Sequence, residues 1–223
     1  MTKARYWQSQ CIRAARDSGQ TNALIMALCF GGCLIATLTG DWAQLNQYAS
    51  ELRSAMLLNN QPLWRGQVDL FTGLTLIRQG RSDEGFAIAL PAIAEIRDVR
   101  FFIMNSQVEL ADACISHDRL SDCAEILADA SLAIQDGWAN MSAEYHRVEG
   151  RLRQARGQTE LARKSYRLAM STAKAQGASL FYIRARQALD ALNALPSTRP
   201  STRRRPDRNQ ALAAATAARS PSR

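Results

Sequence analysis

The 223 residues, 47 % of them apolar, suffice for one domain of ordinary size or one short repeat array with a buried core. The net charge of +8 is uneven: from Pro196 onward seven arginines (Arg199, Arg203, Arg204, Arg205, Arg208, Arg219, Arg223) face one acid, Asp207, so +6 belongs to the tail and +2 to residues 1–195. That distribution excludes treating the overall basicity as a nucleic-acid surface on the folded part.

In chain order, residues 3–17 carry a helical pattern standing alone before the first turn signal, with Arg13, Arg16 and Asp17 alongside Tyr6 and Trp7. This resembles the second half of a unit whose first half is missing, so the chain is expected to begin inside a longer array. Nothing in residues 1–13 has the apolar block of a secretory signal. Residues 20–58, 61–97, 99–136 and 138–176 then read as four helix–turn–helix pairs. Residues 179–195 read as a lone closing helix with Tyr182, Ala185, Leu189 and Leu192 along one face. The most apolar stretch, residues 23–38, is 16 residues long and contains Gly31, Gly32 and Thr37. It falls short of the roughly 18–20 residues that span a bilayer, so a core helix and no membrane contact are expected.

Two interleaved series of turn residues define the pairs. Gly40-Asp41, Gly80-Arg81, Asp118-Arg119 and Gly157-Gln158 stand 40, 38 and 39 residues apart. Gly19, Asn59-Asn60, Asp98, Gly137 and Gly177 fall between them at the same period, where a helix C-terminus favours a left-handed residue. Small residues recur in the same register. Seven residues before each turn stand Cys33, Gly73, Ala111 and Gly150; five after, Leu45, Gly85, Cys123 and Ala162; twelve after, Leu52, Ala92, Ala130 and Ala169. Repeats two to four are small at all three places, which predicts close helix crossings. The fold expected is all-α: a tetratricopeptide-like (TPR-like) α-solenoid of about four repeats with extra half-repeat helices at both ends. Its domain is residues 1–195. The tail, 196–223, holds four of the six prolines and almost no large apolar residue, so disorder is expected there.

The phrase Glu144-Tyr145-His146-Arg147-Val148-Glu149-Gly150, followed by Gly157, Tyr166-Arg167-Leu168-Ala169 and Ala175-Gln176-Gly177-Ala178, resembles one family in particular. It is similar to the C-terminal tetratricopeptide region of large bacterial multidomain regulators. In those, a winged-helix or cyclase domain precedes an AAA-type ATPase and the repeats follow. Gly40-Asp41-Trp42-Ala43 and Gly80-Arg81-Ser82-Asp83-Glu84-Gly85 resemble two earlier repeats of that region. The resemblance implies a sensing or protein-binding role in signal transduction or transcription regulation, without the ATPase and DNA-binding modules. Two residues depart from the pattern: Asp118 replaces a turn glycine, which a left-handed Asp tolerates, and Pro91 is expected to kink or end its helix.

No catalytic chemistry is expected. No glycine-rich loop ends in Gly-Lys-Ser or Gly-Lys-Thr. Cys29 and Cys33, four apart, could form half a metal site, but Cys11, Cys114, Cys123, His117 and His146 lack paired ligand spacing. The odd count of five cysteines fits reduced thiols in the cytoplasm. His146 beside Glu144 and Glu149 suggests acid–base work only if a nucleophile and pocket accompany it. The repeat itself explains these residues, and neither cofactor nor metal is expected.

Binding is expected on a concave face lined by first helices, with Gln67, Arg78, Asn105, Asp112, Glu144, Arg147 and Arg151 directed inward. The occupant there is expected to be a protein or a small polar ligand. Arg203-Arg204-Arg205 adds weak, salt-sensitive, non-specific nucleic-acid binding, and the array ends offer a homo-oligomer contact. Two alternatives differ in class. One is a nucleic-acid accessory protein acting through the arginine tail; the other is a truncated remnant of a regulatory ATPase.

Overall fold

The protein is described by a computed structural model covering residues 2–96 and 104–194. Among these residues every regular element is helical: α1 (Thr2–Asp17), α2 (Thr21–Thr39), α3 (Trp42–Leu58), α4 (Arg65–Arg78), α5 (Ser82–Ile96), α6 (Met104–Ser116), α7 (Leu120–Gln135), α8 (Ser142–Ala155), α9 (Thr159–Ala175) and α10 (Ser179–Ala194). The protein is therefore all-α. The chain divides after Leu192, and all interactions described below lie before that point. The turn expected at Asp98 and the tail 196–223 lie outside the described residues.

The turns share one construction. Gly40, Gly80, Asp118 and Gly157 have positive φ, as do Gly19, Asn60, Gly137 and Gly177. After each member of the first series the next N–H reaches five residues back: Asp41 to the Ala36 carbonyl, Arg81 to Leu76, Arg119 to Cys114 and Gln158 to Arg153, all at 2.9–3.0 Å. Gln61, Trp138 and Ala178 do the same to Met56, Ala133 and Ala173. The left-handed residue thus satisfies carbonyls that a helix end leaves open and reverses the chain into the next helix. Asp118 takes this conformation at φ 58°.

The crossings are close because side chains are missing where backbones meet. A methyl added to Gly73 would stand 2.6 Å from both the Ala89 Cβ and the Gly85 carbonyl, and one added to Gly85 would stand 2.6 Å from the Gly73 carbonyl. A methyl on Gly150 would lie 2.5 Å from the Tyr166 ring. All twelve residues of the small-residue register are buried. The first pair differs in detail. Residues Ala27–Cys33 are π-helical, and within this stretch Gly32 lies close to α3, where an added methyl would stand 3.0 Å from the Tyr48 ring.

Pro91 does not end its helix; α5 runs on to Ile96. Proline leaves the carbonyl four residues earlier, that of Ala87, without its usual donor. Both residues are exposed, so water can supply the missing bond. Helix α2 is 19 residues long with mean hydropathy 1.9, enough by length and composition to cross a membrane. Core helices of folded domains pass the same test, and Ile25, Leu28, Cys29, Cys33 and Ala36 of α2 are buried in the core.

That core runs continuously from Ile12 in α1 to Leu152 in α8. Beyond it, Tyr166 and Ala162 of α9 pack with Leu192 of α10. Helix α6 touches α2, α4 and α8 as well as its partner α7. Phe181 of α10 and Leu38 of α2 both pack against a second cluster formed by Ala133 and Met141.

Candidate functional site

The face where α2, α6, α8 and α10 converge carries a network of charges. Arg147 of α8 sits between two acids, 2.8 Å from Glu144 and 3.2 Å from Asp112 of α6. Arg151, one turn along α8, also donates to Asp112. Arg184 of α10 donates to Glu144 at 2.6 Å and to Glu109 of α6 at 2.9 Å. Its second terminal nitrogen bonds the Leu38 carbonyl at 2.9 Å. Glu144 is completely buried and Arg147 is 7 % exposed, so these charges interact far from bulk water.

Burial and pairing pull the acids in different directions. Burial raises the pKa of Asp112, but Arg147 and Arg151 outweigh it and hold the carboxyl below its ordinary value. Burial also raises Glu109; Arg184 only partly offsets this, and the neighbouring Glu144 adds to it, so Glu109 titrates above the usual range. Burial lowers Arg147 and Arg184, yet their acidic partners prevail and raise both.

Beside the network is a hollow of about 260 Å³ lined by Trp42, Arg78, Glu109, Asp112, Arg147, Arg184 and Gln187. The guanidinium of Arg78, exposed at the end of α4, lies 4.5 Å over the Trp42 ring. Arg78 has no carboxylate partner among the described residues. Two larger hollows, of about 470 and 450 Å³, have mostly apolar linings: one is bordered by Tyr182 and Ile183, the other by Cys11, Ala27 and Phe30.

The structure therefore brings together Arg78, Asp112, Glu144, Arg147 and Arg151 from the positions marked in the sequence. Gln67 is buried with its Oε1 unbonded and does not line the hollow. The Asn105 side chain lies outside the described residues. Glu109, Arg184, Trp42 and Gln187 were missed. A signal for Arg184 was present: Gln67, Asn105 and Glu144 stand 38 and 39 residues apart, and a step of 40 from Glu144 lands on Arg184.

The other groups with possible chemistry are buried or held in local polar pairs, except Cys11, an exposed free thiol. His146 Nδ1 lies 3.8 Å from Glu149, while Glu144 points its charge at Arg147 and Arg184. The Ser165 hydroxyl donates to Glu149 at 3.1 Å and accepts from Arg153 at 2.6 Å, so no imidazole activates it. Cys29 and Cys33 are buried, which pushes the Cys29 thiol up to about 12 and Cys33 well above its ordinary value. Cys114 and Cys123 are likewise pushed up to about 12 by burial. Among the described residues no group of three His, Cys, Asp or Glu side chains is placed to hold a metal.

The arrangement can pair with and orient charged groups at one mouth bounded by an aromatic ring. No protein-family model matches the chain, and no curated protein or solved structure matches it.

Proposed function

We propose that the chain is a non-catalytic, tetratricopeptide-like binding module whose recognition surface is the face shared by α2, α6, α8 and α10. The observation carrying this reading is that charged side chains from different helix pairs converge there, bridged from Asp112 to Arg147 and from Glu144 to Arg184, yet leave a hollow between them. Helical arrays bind through surfaces to which successive units each contribute. The fixed period of turns, the small-residue crossings and the lone helices at both ends support a solenoid of about four units. By resemblance, the module serves signal transduction or transcription regulation in the cytoplasm.

The test is hydrogen exchange on the full chain, with extract of the source cells divided into small-molecule and macromolecular fractions. The reading expects one fraction to slow exchange saturably in α6, α8 and α10. Slowing confined to residues 196–223, and abolished by nuclease, would instead support the arginine tail as the working part. No slowing in α6, α8 and α10 overturns the reading.

A further inference from the structure

Accepting that the charged face is the recognition surface, we infer that the hollow beside Trp42 is a site for a compact oxyanion, a carboxylate or phosphoryl group, with Arg78 as its principal contact.

The charge balance points to a negative guest. Around the hollow and its adjoining network stand the guanidiniums of Arg78, Arg147, Arg151 and Arg184, and the carboxylates of Glu109, Asp112 and Glu144. Three of the four cations are committed: Arg147 and Arg151 to Asp112 and Glu144, Arg184 to Glu109, Glu144 and the Leu38 carbonyl. Among the described residues the fourth, Arg78, has only the face of Trp42. One positive charge is therefore left over, and it lies on the side chain at the mouth rather than within the network.

Geometry adds to this. The Trp42 ring holds the Arg78 guanidinium carbon 4.5 Å from its centre while the side chain stays exposed, and a guanidinium so placed can hold two oxygens of one anion. Gln187 of α10, also in the lining, supplies a neutral amide able to donate. The acids along the wall confine the guest's charge to the Arg78 side of the hollow, because Glu109 and Asp112 would repel charge placed against them. A volume of about 260 Å³ suits a metabolite the size of an amino acid more than a folded segment.

Carboxylate and phosphoryl ligands share this chemistry, so succinate and inorganic phosphate serve as probes. Each is titrated into the full chain by calorimetry at constant ionic strength, with chloride as background, while the Trp42 indole N–H is followed by NMR. Saturable binding of either probe is expected, with the Trp42 signal moving in step. Arg78→Gln is expected to weaken it about tenfold or more. Arg78 is exposed, so this variant keeps the fold, and Arg81→Gln, whose guanidinium pairs with Glu84 outside the site, leaves binding unchanged. Succinate alone binding assigns the site to carboxylates; phosphate alone assigns it to phosphoryl groups. Binding no stronger than chloride, or undiminished in Arg78→Gln, overturns the oxyanion site. If extract still slows exchange in α6, α8 and α10 in that case, the binding module stands and only the anion assignment falls.

Discussion

Arg184 Nη2 donates to the Leu38 carbonyl at 2.9 Å, across 146 residues of chain. Leu38 lies in the last turn of α2, where carbonyls have no intrahelical donor and the helix dipole favours a cation. The contact thus closes the C-terminal end of α2 with a side chain from α10. Because the same guanidinium holds Glu109 and Glu144, it joins three other helices at one point.

Arg184→Gln is expected to loosen the two ends of that contact without unfolding the centre. Hydrogen exchange should accelerate in α10 and in the last turn of α2, while α4 and α5, held by the Gly73–Gly85 crossing, keep their protection. Uniform acceleration across all helices, or none, would contradict this assignment.

Arg147→Met should be among the most destabilising single changes. It leaves Asp112 and Glu144 buried beside each other with reduced compensation, a loss of about 3–5 kcal/mol for a broken buried pair. Urea unfolding measures it. Arg147→Lys is expected to recover only part of that loss, since an ammonium cannot reproduce contacts to two carboxylates from a planar fork.

The two acids of α6 predict opposite pH trends. Asp112 is lowered in the folded protein, so the stability it supplies is present above its unfolded value of 3.8 and is lost as pH falls through the lower, folded value. Glu109 is raised, so its contribution is fullest below 4.5 and is lost as pH rises through the higher, folded value. Relative to Glu109→Gln, the native protein should therefore lose stability as pH climbs from 4.5 toward neutrality. Relative to Asp112→Asn, it should gain stability as pH rises toward and through 3.8. Denaturant melts at a series of pH values read both slopes.

Glycines of two kinds should respond differently to replacement. Gly73→Ala drives a methyl into backbone and the Ala89 Cβ, and is expected to lose about 1–3 kcal/mol with no residue able to relieve it. Gly157→Ala meets no neighbour within 4 Å but holds φ at +74°, a strain of about 1–2 kcal/mol. Gly157→Asn should restore much of that loss, because Asn accepts the left-handed region. Thermal melts of the three variants decide it.

The turns were the most legible part of the sequence. Glycine, asparagine and aspartate mark them by a property of the residue itself, its tolerance of positive φ, and at Gly40, Asn60 and Asp118 that local property decides the conformation. The small-residue register was legible for a related reason: Gly73 and Gly85 record the proximity of a backbone directly. The π-helical Ala27–Cys33 was not, because hydrophobic spacing over seven residues does not separate a π turn from an α turn. Glu109 was missed because it lies among Val108, Leu110 and Ala111, and nothing nearby in sequence announces that Arg184, 75 residues on, meets it. Trp42 and Arg78 belong to different helix pairs, and only the packing of α3 on α4 brings ring and guanidinium together.

The same interlocked charges bear on how such a chain could change by duplication or deletion. Arrays held together by apolar faces alone can gain or lose a unit, since one interface resembles the next. Here Asp112 of α6 finds its cations, Arg147 and Arg151, on α8, and Glu144 of α8 finds Arg184 on α10 as well as Arg147 on its own helix. Excising α8 and α9 would strand Asp112, buried without either arginine. Loss of that helix pair therefore carries a penalty that apolar packing alone would not impose, and change at the mouth of the hollow, where Arg78 is exposed, is the less costly route.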